Sequence, residues 1–395
     1  MLLVPAWLVA CTTDIPVRPT QSLTPDAPVT PVPLSPLTSE EMTLHFDSPA
    51  YAIHTAQWWD LRAFQQDVDR VREMEFGWVK QHIPWRDVES IEKGNYDWYR
   101  VDKMVEMTNA AGLKMIARID RPPVWAIIEY ENDGIRVTEN QPPYRLSDLG
   151  DFCSALAARY KGRIQAYQIW NEPNLSREWG ELSPDPIQYV ELLEVCYEAI
   201  KAADPDAIVI SASLAPTGNT PPLAMPDDQF LIEFYEAGGG EFFDVLGLNA
   251  PGYMAPPEIS PDETGPDSPY GTYRWHVFRH VEDMRRIMVE YGDSSKQVAI
   301  LEMGWTTDSR EGSPYLWHAV SQEEQADYLV RAYEYAETNW QPWIGLMTTI
   351  YFSDVAWTEE DEQYWWSITD PDGTPRPAYA ALKEMREDAI MASNR

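Results

Sequence analysis

The chain has 395 residues and carries 64 Asp and Glu against 30 Lys and Arg, a formal net charge of −34. A chain this anionic is repelled by phosphate backbones, which excludes a nucleic-acid binder. A hydrophobic content of 44% supplies an ample core and excludes wholesale disorder. No stretch reaches the roughly 18 apolar residues of a membrane span. Seventeen Trp and 21 Tyr are the unusual feature, because flat amphipathic rings need something to pack or stack on.

The N-terminal run MLLVPAWLVA leads into Cys11, and Leu8-Val9-Ala10-Cys11 resembles the lipobox of bacterial lipoproteins. That resemblance implies an acylated Cys11 and membrane attachment through it. Residues 12–41 carry Pro16, Pro19, Pro25, Pro28, Pro31, Pro33 and Pro36 among many Thr and Ser. Such a segment builds neither ladders nor helices and reads as a semi-rigid extended spacer. A lipid-ready cysteine ahead of a Pro/Thr spacer describes a surface tether, so the protein is expected outside the cytoplasm, secreted or lipid-anchored. The organisation read from the sequence is a signal-like segment over 1–11, a linker over 12–41 and one folded domain over 42–395. Cys153 and Cys196 fall in helical segments and read as buried free thiols, with a bridge between neighbouring helices as the alternative.

From Met42 onward, apolar β-rich runs alternate with amphipathic helical runs, the pattern of a parallel sheet with crossover helices. The predicted strands are Tyr51–Ala56, Gly77–Ile83, Lys114–Ile119, Ile164–Trp170, Ala207–Ser213, Val245–Asn249, Gln297–Glu302 and Ile344–Phe352. Between them lie helical segments such as LRAFQQDVDRVREM, WYRVDKMVEMTNAA, LSDLGDFCSALAARY, PIQYVELLEVCYEAIKAA and WHVFRHVEDMRRIMVEY. Ser321 and Glu324 form a capping box, Pro186 sits at a first helical position after Asp185, and Gly112, Gly162 and Gly292 stand where left-handed C-caps need glycine. Eight β–α units in one series predict an α/β fold of the (β/α)8 TIM-barrel type. No GxGxxG follows the first strand, as a doubly wound dinucleotide fold would require.

A barrel places its functional residues at the C-terminal ends of its strands. The fourth predicted strand ends in Trp170-Asn171-Glu172-Pro173, and the seventh in Leu301-Glu302-Met303-Gly304-Trp305. A carboxylate at the end of a buried strand is costly unless used or paired. The tops of strands four and seven face each other across the mouth, which suits a pair of carboxyl groups at about 5 Å working as in a retaining glycosidase. Ile-Trp-Asn-Glu-Pro-Asn at 169–174 and Leu-Glu-Met-Gly-Trp at 301–305 resemble the acid/base and nucleophile motifs of clan A glycoside hydrolases. Family 5 and family 39, the cellulase-like and β-xylosidase-like enzymes, look most similar. The resemblance implies Glu172 as general acid/base, Asn171 as donor to the substrate 2-hydroxyl and Glu302 as nucleophile. It also implies a cationic residue near the nucleophile, for which Lys80 or His82 is the candidate. A His and a Tyr are implied after strand six, where this chain offers Asn249 in place of the His, and Tyr253. An aromatic sugar floor is implied after strand eight, where Trp357 stands.

Trp85, Trp125, Trp170, Trp179, Trp305 and Trp357 all fall at or just past predicted strand tops, and as a ring around one mouth they describe a glycan cleft. Of these, Trp125, Trp305 and Trp357 are the substrate-contact candidates. Trp58, Trp59, Trp98, Trp275, Trp317, Trp340 and Trp343 read as plain packing. Arg118 and Asp120 share a strand face and read equally as an internal ion pair or as substrate contacts. Asp354, the one rival carboxylate, reads as a loop cap or a salt-bridge partner. For the chemistry to run near neutrality Glu302 must be ionised and Glu172 protonated, so positive groups are expected beside the first and a dry, negatively flanked setting around the second. His276 and His280 have the i, i+4 spacing of a zinc pair on a helix, without a supporting motif, and no metal or other cofactor is expected. The sequence thus describes a retaining glycoside hydrolase acting on β-linked neutral oligo- or polysaccharides. A non-catalytic surface glycan-binding lipoprotein on a degenerate barrel is the alternative.

Overall fold

The computed structural model describes Leu34, residues 37–127, Thr138 and residues 140–393. Cys11, the lipobox-like segment and nearly all of the predicted linker lie outside the described residues. Eight parallel strands close into a barrel in sequence order. They are β1 (Ala50–Thr55), β2 (Trp78–Pro84), β3 (Lys114–Asp120), β4 (Ala166–Ile169), β5 (Ile208–Ile210), β6 (Val245–Pro251), β7 (Gln297–Gly304) and β8 (Ile344–Phe352). Each is followed by a main helix: α1 (Leu61–Glu73), α2 (Tyr99–Ala110), α3 (Leu146–Arg159), α4 (Pro186–Ala203), α5 (Asp227–Glu236), α6 (Val281–Glu290), α7 (Gln322–Asn339) and α8 (Pro377–Ser393). Every predicted strand is present, with ends moved by a few residues.

Strand alternation sorts the apolar residues into two sets. Ala52, Trp78, Ile116, Ala166, Ile208 and Leu346 fill the barrel interior. Ile53, Val79, Ile119, Val209, Leu246 and Met347 face outward into the larger shell beneath the helices. Because both faces are covered, these strands read as nearly continuous apolar runs, which is what made them visible in the sequence. The helix signals hold as well: Ser321 and Glu324 make the reciprocal capping box of α7, and Asp185 caps α4 with Pro186 in its first turn. Gly112, Gly162 and Gly292 take φ of 76°, 69° and 92°, the left-handed region a side chain resists.

Two expectations are corrected. The helix predicted from Trp275 begins at Val281. Residues 274–280 form two 3-10 turns separated by Val277, whose φ of −130° is extended. Arg274 is drawn away to Asp262 and Asp283, and His280 is held by Asp227 and Asp283. His276 and His280 therefore do not share a helix face, and among the described residues no cluster of three or more metal-ligating groups occurs. The two buried cysteines are not free: Cys153 on α3 and Cys196 on α4 form a disulfide, with Cα atoms 5.5 Å apart. Small residues at the α3–α4 contact bring the helices close, with Gly150 packed on Val195. Helical periodicity had put both thiols on inward faces but could not show that the faces meet.

A bridge closing a loop of 43 residues is expected to stabilise the fold by about 2–4 kcal/mol. Chemical unfolding with and without reductant, and of Cys153→Ala/Cys196→Ala, should show a lower midpoint in both reduced and mutated protein. Equal midpoints would mean that the bridge constrains nothing.

Candidate active site

The C-terminal ends of the strands surround a cavity of about 810 Å³ whose lining includes both Glu172 and Glu302. A smaller one of about 190 Å³ lies at the opposite end, among the first residues of β2 to β5. The polar layer of the barrel follows directly from strand parity. In β2 the inward set runs Trp78, Lys80, His82, and in β3 it runs Ile116, Arg118, Asp120, so each strand changes from apolar to charged as it rises toward the mouth. The β2–β3 register sets His82 beside Arg118.

Glu302 owes its orientation to an irregularity. Leu301 belongs to the interior cluster and Met303 to the outer shell, so two consecutive residues, Leu301 and Glu302, both face inward. The register with β6 jumps from Leu248–Ile300 to Asn249–Glu302, leaving one residue of β7 unpaired. A bulge of this kind re-aims a side chain at the price of one ladder position. The carboxylate then meets Lys80, whose Nζ lies 3.2 Å from Oε1 and also donates to the Leu301 carbonyl at 2.9 Å. Arg118 stands 3.6 Å from the same oxygen and His54 3.7 Å. Burial pushes Lys80 down to about 8, with the charge of Glu302 opposing that shift, so Lys80 remains cationic at neutral pH. Burial, followed by the charges of Lys80 and Arg118, holds His54 well below its ordinary value and hence neutral.

Glu172 sits just past β4 in a distorted turn. Trp170 and Glu172 have φ of 72° and 43°, left-handed values that cost a non-glycine residue on the order of 1 kcal/mol or more each. The turn is fixed from three sides. The Glu172 N–H donates to the Ser213 carbonyl at 2.9 Å, the Leu175 N–H donates to the Glu172 carbonyl, and the Trp170 indole donates to the Glu178 carbonyl. Asn249 Nδ2 donates to Glu172 Oε1 at 2.8 Å, while Arg177 lies 3.5 Å from Oε2. Burial first, and the charge of Glu302 second, raise the Glu172 carboxyl to about 7, against the opposing pull of Arg177. Asn171 also lines the cavity. Its Oδ1 is taken up by Gln168 at 3.4 Å and Ser213 at 3.2 Å, so Nδ2 is the donor it has left to offer.

The other predicted residues divide clearly. His82, Asn249, Tyr253 and Trp357 line the cavity; Lys80, Trp125 and Trp305 do not. Lys80 is fully buried beneath Glu302 and touches the carboxylate, not the open space. Trp125 donates to the Glu89 carbonyl and packs edge-on against Trp85. Trp305 donates to the Ala255 carbonyl within the core. Trp85, Trp170 and Trp179 are likewise fully buried, so of the six tryptophans expected around the mouth only Trp357 borders it. Tyr253 is present, but its hydroxyl donates to the Pro216 carbonyl at 3.3 Å. Tyr351, not singled out in the sequence, packs between His54 and Trp357. Its hydroxyl is raised well above 10 by burial and then by the charge of Glu302. Arg118 and Asp120 form the ion pair, 2.9 Å apart. Burial opposes ionisation of Asp120, yet Arg118 and the hydrogen bond to His82 hold its carboxyl well below the usual range. His82 is pushed down to about 4, chiefly by burial, and is a neutral ring.

Sequence reasoning read Trp58 and Trp59 as plain packing and passed over Arg177, Glu178 and Tyr315, yet all five line the cavity. They come from loops or helix starts, where no periodic signal exists; Glu178, six residues past Glu172, was the most findable. Asp354 caps a turn, accepting from the Ala356 N–H at 2.8 Å. Asn174 is buried, with its Nδ2 donating to the Ala215 and Met225 carbonyls.

A raised Glu172 carries a linked stability cost. Its folded value of about 7 exceeds that of an unfolded glutamate, so the native state binds this proton more tightly. The resulting stability is fully present below about pH 4.3 and is lost as pH rises through 7, on the order of 3–4 kcal/mol in all. Glu172→Gln should therefore gain stability over the wild type as pH rises from 5 to 8.5. Thermal midpoints measured across that range check it; a constant difference would place the proton elsewhere.

No family model matches the sequence, and no curated protein matches it either. Solved structures do match. A family 39 glycoside hydrolase from the gut symbiont Bacteroides cellulosilyticus WH2 superposes with a TM-score of 0.62 at 19% identity, over 89% of this chain and 65% of that one. The chain thus spans just under two thirds of that protein's length. A GH39 β-xylosidase from Caulobacter crescentus gives 0.57 at 19% identity, over 88% of this chain and 72% of that one. A GH10 endoxylanase from a sugarcane soil metagenome gives 0.53 at 15%, over 86% and 97%. What the chain shares with these glycoside hydrolases is the closed (β/α)8 barrel.

Proposed function

We propose that the protein is a retaining glycoside hydrolase, with Glu302 as nucleophile and Glu172 as general acid/base, acting on β-linked neutral glycans. The observation that carries this reading is the division of labour between two carboxyl groups in one cavity. Glu302 faces Lys80 and Arg118, while Glu172 is buried beside Glu302 and held protonated up to about pH 7. Two titratable groups whose surroundings separate them in this way suit an acid and a nucleophile. The fold shared with xylosidases and a xylanase adds to it.

In this mechanism a Glu302 oxygen attacks the anomeric carbon as the bond to the leaving oxygen breaks, and Glu172 gives its proton to that oxygen. A covalent glycosyl ester on Glu302 results. Glu172, now a carboxylate, takes a proton from water, whose oxygen attacks the same carbon and frees Glu302. Lys80 and Arg118 hold the nucleophile's charge in place and receive it back when the ester breaks. Asn249 positions the acid, and Asn171 Nδ2 supplies a donor to a sugar hydroxyl. The export reading draws support from the Cys153–Cys196 disulfide, since such bonds persist in oxidising compartments. Cys11 as lipid attachment point remains part of the proposal.

Glu302→Ala should lose at least about 10³-fold in kcat on aryl β-glycosides and on β-glucan, xylan and mannan fragments, with an unchanged circular dichroism spectrum. Glu172→Ala should lose far more on the glycans than on aryl glycosides, whose leaving groups need little protonation. Equal losses on both would remove the acid assignment. The wild-type pH profile should be a bell whose alkaline limb falls near pH 7, as Glu172 gives up its proton. A limb that survives in Glu172→Gln would belong to another group.

A further inference from the structure

On the Glu172 side an aromatic shelf outside the cavity lining adjoins the cavity through Tyr253. Tyr253 lines the cavity and stacks on Trp317, ring centres 5.7 Å apart at 25°, while Trp275 meets it edge-on at 5.4 Å. Tyr273 then stacks on Trp275, nearly parallel at 4°. Trp317 and Tyr273 are 47% and 57% exposed, well above what a packing role requires. The shelf grows from the strands that hold Glu172. Tyr253 follows Asn249, the hydrogen-bond donor to Glu172, and its hydroxyl reaches Pro216, three residues past the Ser213 carbonyl that accepts from the Glu172 N–H. The aromatic pair on the opposite side, Tyr351 and Trp357, belongs with His54 and Glu302.

We infer that the exposed rings of Trp317 and Tyr273, backed by Tyr253 and Trp275, form a leaving-group-side subsite that stacks successive sugar units of a β-linked chain running past Glu172. The inference rests on the glycosidase reading above and extends it to a substrate longer than a disaccharide. The acid protonates the oxygen of the departing unit, so the wall beside Glu172 is the one that unit must lie along. Sugar rings present C–H faces to such planes and their hydroxyls to a polar fringe. Thr217 and Asn219 line that fringe. So does His318, which is 4% exposed and packed edge-on against Tyr253, with its Nδ1 lacking a hydrogen-bond partner.

The shelf is also held rigid. Arg331 pairs with Glu258, Arg274 joins Asp262 to Asp283, and Ser260 and Glu263 form a capping box in the same loop. Gly271, at φ 119°, passes against His276, and a Cβ there would come within 2.3 Å of its Nδ1. A surface already ordered before binding loses little entropy on binding.

The test compares the full-length wild type with Trp317→Ala, Trp275→Ala and Trp317→Tyr on xylo-, cello- and manno-oligosaccharides of two to six units, with an aryl β-glycoside alongside. The wild type should show kcat/KM rising with chain length. In each alanine variant the hexamer-to-dimer ratio of kcat/KM should fall by about tenfold, the scale of losing one aromatic contact. The loss should come mainly through KM, and Trp317→Tyr should largely restore it. Unchanged ratios in both alanine variants, or a wild-type profile flat with length, would overturn the subsite while leaving the hydrolase reading intact. Failure of the wild type to hydrolyse the aryl glycoside and every oligosaccharide would instead overturn the hydrolase reading, and this inference with it.

Discussion

The structure turns on holding a carboxylate, Glu302, inside the mouth of a closed barrel whose lower interior is apolar. An uncompensated charge in such a place costs on the order of 3–5 kcal/mol, a large share of the 5–15 kcal/mol that keeps a typical domain folded. Glu302 is compensated by groups that strand parity delivers from below and beside it: Lys80 from β2, Arg118 from β3, the neutral ring of His54 from β1. Those partners need compensation in turn. Arg118 pairs with Asp120, which His82 also contacts. The barrel's polar layer is therefore a chain of mutual neutralisation, and replacing one member leaves the next exposed.

The same layer explains why the second carboxyl group differs from the first. Most of the cations in reach are already committed around Glu302 and Asp120. Among the described residues the ion-pair partner of Glu172 is Arg177, whose side chain is largely open to solvent and so weakly coupled. What then dominates at Glu172 is burial and the negative charge of Glu302 itself. Proton retention by one glutamate follows from the stabilisation of the other. The chain's large acid excess plays no part in this, since surface charges beyond about 8–10 Å are screened at physiological salt.

How legible this was depended on the kind of signal. Doubly covered parallel strands leave continuous apolar runs, so all eight were readable, as were the capping box at Ser321 and the glycine C-caps. Glu172 and Glu302 stood out because an acid ending an apolar run has few structural reasons to be there. The reason Glu302 faces inward was hidden: a bulge at Leu301 has no composition signature, and simple alternation from Leu301 would have pointed Glu302 outward. The aromatics misled for a related reason. Trp125 and Trp305 sit at the right height on the barrel, but each indole N–H is satisfied by a backbone carbonyl within the protein, which sequence spacing cannot reveal. Conversely Trp58, Trp59 and Trp317 occupy loops and short turns, where the pattern carries no period, while Tyr351 lies near the end of β8 within an apolar run. The Cys153–Cys196 bridge likewise depends on which helices become neighbours.

Strand parity and loop chemistry therefore act at different levels of the site. Parity fixes Glu302 and its cations to the barrel itself, where any shift would break several charge pairs at once. Glu172 is fixed by a strained turn whose anchors, Ser213 and Asn249, stand at the ends of the next two strands, β5 and β6. Those same strand ends lead into the loops bearing Pro216 and Tyr253, so the wall beside Glu172 is built from segments free to vary in length without disturbing the charge network below. The proposed chemistry therefore rests on the barrel and the proposed glycan contacts on the loops beside Glu172, and among the described residues no ion pair joins Glu302 or Asp120 to the loop after β6.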